Sequence, residues 1–204
     1  MKDRILSVLK LILAVLLLPL TIGITASFWE NLRLVQSSIS GAFGWGVVSY
    51  LLLHILLYEP AQVFDTGKKI TEKATGFLLP MFKIAGFCIP IFTILSFAAY
   101  YLSSLIWKNV DLFPFFAFLA AFTFTMHIVF TANALKGKQA GWLKENYFFS
   151  IFIIYIINML IIAGAFTLLT SEFSFLEFWK RAAGIAGAIY TASFKQLFVV
   201  EGRG

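Results

Sequence analysis

Apolar runs long enough to cross a bilayer recur along this chain, and charge is nearly absent from them. A span needs about 20 predominantly apolar residues at ~1.5 Å rise each. The runs fall at residues 5–28, 42–58, 84–107, 112–135 and 147–170. This pattern predicts an all-α fold, a polytopic transmembrane helical bundle of five spans. The composition agrees: 60% of residues are apolar and 13% charged, against roughly 45–50% and ~25% in soluble domains. A mean hydropathy of +0.90 leaves more apolar surface than a water-soluble fold of this size buries, whereas a bilayer solvates the outside of the fold.

The 204 residues read as one integral membrane domain, since no polar stretch is long enough for a soluble second one. Residues 5–28 follow Lys2 and Arg4 as the core of a signal peptide would. The run exceeds the ~7–15 residues of a cleavable apolar region, so a retained first helix is expected. Its Pro19 and Gly23 are tolerated in membrane helices. An Asn/Ser/Gly-rich connection, Asn31 to Gly44, is expected next. Trp45–Tyr58 is then a short second span unless Gly41–Gly44 join it.

Residues 61–76 differ in kind. Asp65, Lys68, Lys69, Glu72 and Lys73 recur there at helical spacing, as in a helix lying at the headgroups. The next apolar segment, Phe77–Trp107, is too long for one straight span, and Pro80, Lys83 and Pro90 predict an oblique entry or a kink. In the tail, residues 178–200, Lys180, Gly184, Ala188, Thr191 and Lys195 share one helical face opposite Ile185, Ile189 and Leu197. An interfacial helix and a sixth span both remain open there.

Lysines and arginines orient the chain. Lys2, Arg4, the three lysines of 61–76, and Lys136, Lys138 and Lys144 fall on one side, against Arg33 and Lys108 on the other. The positive-inside rule makes the richer side, and the N-terminus, cytoplasmic. A bacterial cytoplasmic membrane is the expected location. Trp29, Trp45, Trp107 and Trp179 fall at the outer ends of spans and Trp142 at an inner boundary, where indole is at home. The net charge of +6 sits in short connections and implies attraction to anionic headgroups. It forms no clustered basic face of the kind a nucleic-acid reader needs. Cys88 is the single cysteine, which excludes an internal disulfide and a Cys-based zinc site.

Polar residues inside spans are functional candidates by default. They are His54, His127 with Thr123 and Thr131 at i±4, Asn133, and Asn158 beside Tyr155. Together the histidines would make a proton relay or half a metal site. Separately they are interhelical hydrogen-bonding groups worth ~0.6–2 kcal/mol each. The absence of H-E-x-x-H, G-x-S-x-G, a P-loop and any paired intramembrane carboxylates argues against catalysis. The small-residue pairs Gly41/Gly44, Gly44/Gly46 and Gly184/Gly187 are of the kind that permits close helix approach, but none is the i, i+4 pattern inside a clean span.

The run Leu53-His54 to Tyr58-Glu59-Pro60, followed by Val63-Phe64, resembles the approach to the metal helix of site-2-protease-like (M50-like) membrane metallopeptidases. Ile89-Pro90-Ile91-Phe92, Met126-His127 through Leu135, Gln139, and Tyr147 to Ser150 through Asn158 are also similar, over about residues 45–180. Where that family's H-E-x-x-H would fall, this chain has Thr66-Gly67-Lys68-Lys69-Ile70, and after Gln139 it has Ala140-Gly141 rather than an aspartate. Such residues make no His/His/carboxylate zinc site. The resemblance therefore implies a helical architecture and a non-catalytic relative, with His127 as a scaffold residue.

Three functions follow as expectations. The first is a non-catalytic membrane subunit or scaffold packed against partner membrane proteins in the lipid bilayer. The second is a small transporter or channel component using His54 and His127. The third is an enzyme acting on membrane peptides or lipids.

Overall fold

The structure is a computed structural model that describes residues 2–56, 65–66, 68–70, 73, 85–136 and 147–198. Among these residues it is helical throughout, without strands. The helices are α1 (Lys2–Leu32), α2 (Ser37–Leu56), α3 (Ala85–Cys88), α4 (Ile91–Ile106), α5 (Phe113–Lys136), α6 (Tyr147–Leu169) and α7 (Phe175–Phe198). Four of them, α1 from Val8 onward, α2, α5 up to Leu135 and α6, are long and apolar enough to cross a membrane. The protein is a helical membrane bundle.

Two sequence expectations need correction. The connection anticipated over Asn31–Gly44 is almost entirely helical: α1 runs to Leu32 and α2 begins at Ser37. The small polar residues there satisfy their own backbone, with Ser40 Oγ donating to the Ser37 carbonyl at 3.2 Å. The earlier start puts Trp45 eight residues inside α2, so it does not mark a helix end, although its ring is exposed. Trp29, Trp107 and Trp179 do lie near helix ends and are exposed.

The third predicted span, residues 84–107, is broken. Pro90 has no amide proton to give, and the chain leaves helical geometry at Ile89–Pro90, between α3 and α4. The 16 residues of α4 reach about 24 Å, less than the ~30 Å hydrocarbon core. Pro80, Lys83, Trp142 and Tyr58 lie outside the described residues. Of the expected surface helix 61–76, Asp65, Thr66, Lys68, Lys69, Ile70 and Lys73 are helical, and the remainder lies outside them.

The helices gather into two compact units. One comprises residues 1–32 and 141–204, the other residues 33–140. In the first, α1 is central, packed against α6 and α7. Thr25 Oγ1 and the Tyr155 hydroxyl share a hydrogen bond at 2.8 Å, and Phe28 meets Phe166 edge to face at 5.8 Å. Contacts that advance together along both helices make α1 and α6 parallel. On α7 the order reverses: Glu30 meets Arg181, Gly23 faces Ala182 and Ala186, and Leu16 meets Tyr190. That antiparallel seam follows α1 for ~21 Å at ~1.5 Å per residue. α7 therefore lies along a span.

The second unit is centred on α5, packed against α2 and α4. Gly46 faces Phe118 and Ala121, Tyr50 meets Phe122 and His54 meets Phe130, so α2 and α5 run parallel. Thr93 pairs with Thr123 and Tyr100 packs on Phe113 at 4.5 Å, so α4 and α5 run antiparallel. One seam in each unit, α1 with α7 and α2 with α5, is closed by a glycine. A Cβ at Gly23 would overlap the Ala182 carbonyl, and one at Gly46 would overlap the Phe118 carbonyl and sit 2.9 Å from the Ala121 Cβ.

Candidate functional site

The polar groups of the second unit converge on the broken span. Thr123, His127 and Thr131 lie at i, i+4 and i+8 on α5, so helical periodicity puts them on one stripe. Thr123 Oγ1 lies 3.3 Å from Thr93 Oγ1 in the first turn of α4. It also reaches the carbonyls of Leu119 and Ala120 in its own helix, at 2.9 and 3.1 Å. His127 is buried, and its Nε2 lies 3.0 Å from the Phe87 carbonyl oxygen of α3. The last carbonyls of a helix have no intrahelical partners, and Phe87 is next to the last residue of α3. The imidazole, donating from Nε2, satisfies one of them and fixes the segment just before Pro90. One turn further, Thr131 is fully buried and its hydroxyl has no hydrogen-bond partner among the described residues.

His54 belongs to different surroundings. Its ring stacks on Tyr50 at 5.8 Å and meets Phe130 edge-on at 6.2 Å, and its buried Nδ1 has no hydrogen-bond partner among the described residues. The two histidines meet different partners: His127 contacts Phe87 of α3, whereas His54 contacts Tyr50 of its own helix and Phe130 of α5.

The other candidates separate as well. Asn133 is exposed near the end of α5. Asn158 is fully buried in α6 and donates from Nδ2 to its own helix at Ile154, 2.8 Å away. Among the described residues no group of three or more His, Cys, Asp or Glu side chains is placed to hold a metal ion.

The first unit holds polar contacts that the chain's pattern conceals. Ser27 Oγ donates to the Phe178 carbonyl of α7 at 2.6 Å, and Asn31 Nδ2 donates to the Ser27 carbonyl at 2.9 Å. Arg181 reaches Glu30 at 2.7 Å, and the Tyr190 hydroxyl donates to the Leu16 carbonyl. Lys10, inside an apolar stretch of α1, is buried. A signal for one of these contacts was present: Glu30 and Arg181 are opposite charges beside Trp29 and Trp179, at matching predicted depth.

α7 presents two kinds of surface. Phe178, Ala182 and Ala186 face α1 and are buried. The face read from the sequence, Lys180, Gly184, Ala188, Thr191 and Lys195, is exposed, as are Ala183 and Gly187. Gly184 and Gly187 each have open space where a Cβ would stand. Comparison of the chain with protein-family models, curated proteins and solved structures gives no match. The fold and these sites define it by class, as a polytopic helical membrane protein.

Proposed function

We propose that this chain is a non-catalytic membrane subunit that packs against partner membrane proteins through the outward face of α7. One observation carries the reading. A helix that accompanies α1 through ~21 Å turns Ala183, Gly184, Gly187 and Ala188 away from its own unit. Lipid gains little from such a surface, whereas a neighbouring helix gains close backbone approach. Lys180 and Lys195 bracket that face fifteen residues apart, about 22 Å. α7 is then a sixth crossing rather than an interfacial helix. Alternating passes return Lys195 to the side of Lys2 and Arg4, which the positive-inside rule makes cytoplasmic. The polar groups on α5 fit the same reading, because His127 and Thr123 hold the broken span together. The likeness to membrane metallopeptidases enters only as an architecture without its catalytic residues.

The test is quantitative mass spectrometry of what stays bound after extraction of the tagged protein in mild detergent. A stoichiometric partner that is lost from Gly184→Leu and Gly187→Leu variants supports the subunit reading. A lone protein, or a partner indifferent to both substitutions, contradicts it. A second reading, a small transporter or channel component, is favoured by the Thr131 hydroxyl, buried without a hydrogen-bond partner among the described residues on the same stripe of α5 as Thr123 and His127. Interrupted helices line many transport sites. It requires that Thr131→Val abolish flux of a substrate while leaving the fold intact.

A further inference from the structure

α3 stops at Cys88, and Pro90 brings no N–H with which to continue it. The chain turns at Ile89, where the Ile91 N–H donates to the Ile89 carbonyl at 3.0 Å. α4 then starts afresh, with the Ile94 N–H donating to the Pro90 carbonyl at 3.0 Å. A few residues of this kind between two helices make a hinge, because they absorb changes in backbone angle that a continuous helix resists. The end of α3 is therefore placed by contacts from other segments.

Two such contacts converge on Phe87. Its carbonyl oxygen meets Nε2 of His127 on α5. Its ring meets Lys68, from the segment between α2 and α3, whose ammonium stands 4.1 Å from the ring centre. That is well inside the ~6 Å reach of cation–π attraction, which strengthens as water is excluded. The ring is buried and Lys68 is half-buried. The two contacts differ in origin. His127 belongs to a long helix packed in the core of its unit, whereas Asp65, Thr66, Lys69 and Ile70 around Lys68 are exposed. Of the two, the Lys68 contact is the one within reach of events outside the bundle.

We infer that Lys68 is a latch on the hinge at Ile89–Pro90: its ammonium on the Phe87 ring holds the end of α3 in place, and withdrawing that charge frees α3 to move about the hinge. The segment before α3 thereby controls the broken span, with His127 as the fixed contact and Lys68 as the releasable one. The attraction is between a cation and a ring, so arginine can replace lysine there and a neutral side chain cannot. Cys88, the residue after Phe87 and the single cysteine of the chain, is half-buried and reports the opening. The latch stands or falls independently of the partner face on α7.

The experiment measures the rate at which N-ethylmaleimide, a neutral reagent, alkylates Cys88 in the full chain in detergent micelles. Lys68→Gln should label about fivefold faster, the factor by which ~1 kcal/mol of cation–π attraction shifts a local opening equilibrium. Lys68→Arg should label at the wild-type rate, and so should Lys69→Gln, which removes a charge that does not touch the ring. Loss of a nearby cation would by itself raise the thiol pKa and slow alkylation, so faster labelling reads movement rather than charge. On a Phe87→Leu background, Lys68→Gln should have no further effect. An unchanged rate in Lys68→Gln overturns the inference, as does an acceleration that persists undiminished on the Phe87→Leu background. Should Phe87→Leu fail to fold, the arginine variant decides: acceleration in Lys68→Arg equal to that in Lys68→Gln overturns the latch.

Discussion

The two units solve the same packing problem with different materials. Each has a central helix, α1 or α5, and each closes its principal seam on one glycine, Gly23 or Gly46. The seam of α1 with α7 is then tied by polar contacts at several levels: Ser27 to Phe178, Glu30 to Arg181, and Tyr190 to Leu16. The seam of α5 with α2 is made of rings, Tyr50 on Phe122 and His54 on Phe130. The second unit places its interhelical polar contacts between α5 and the broken span. Interhelical hydrogen bonds in this fold gather on α7 and on the interrupted α3–α4, and one more, Thr25 to Tyr155, joins two continuous apolar helices. α7 is not among the helices long and apolar enough to cross a membrane, and α3–α4 is interrupted.

The largest expected effect breaks both seams alike. Gly23→Val and Gly46→Val each drive a side chain into a backbone carbonyl and should cost more than about 3 kcal/mol, at the upper end of overpacking penalties. Thermal unfolding in detergent would register this as loss of the folded bundle. Gly184→Val, with open space around it, should leave stability unchanged in the same assay. Equal tolerance at all three positions would contradict the packing described for the seams.

A smaller effect distinguishes the histidines. His127→Leu leaves the Phe87 carbonyl without its imidazole partner and should cost about 1–2 kcal/mol, with faster hydrogen exchange around α3. His54→Phe keeps the ring contacts and should cost less than about 1 kcal/mol. If the order were reversed, His54 would have a role that its aromatic surroundings do not explain. The smallest effect belongs to Thr131. Its hydroxyl makes no hydrogen bond among the described residues, so Thr131→Val should be neutral or stabilise by up to about 1 kcal/mol. Destabilisation there would sharpen the comparison by revealing a polar partner for the broken span.

Much of this architecture was legible in the sequence because membrane spans announce themselves by length and apolarity, which do not depend on tertiary contacts. The limits of α5 and α6 differ from the expected spans by a single residue at most ends. The stripe Thr123–His127–Thr131 was visible as i±4 spacing, and the kink as Pro90. Other features were not legible, for physical reasons. Ser37 to Gly44 reads as a loop because small polar residues mark turns in water, whereas in a membrane protein they are admitted into helices. The path of α7 depends on Ser27, Glu30 and Gly23 of a helix about 150 residues earlier in the chain, and periodicity carries no record of such a partner. Which segment each histidine meets, α3 for His127 and the ring of Phe130 for His54, required the tertiary contacts themselves.

The central claim is that α7 turns a helix-binding face away from its own unit. Photo-crosslinking in native membranes tests it most directly, with the reactive group placed at Gly187 on that face or at Leu52, an exposed apolar position on α2. The account predicts one discrete protein adduct from Gly187 and only lipid adducts from Leu52. Lipid adducts alone at both positions would contradict it, and the exposed face of α7 would then be a surface for the bilayer.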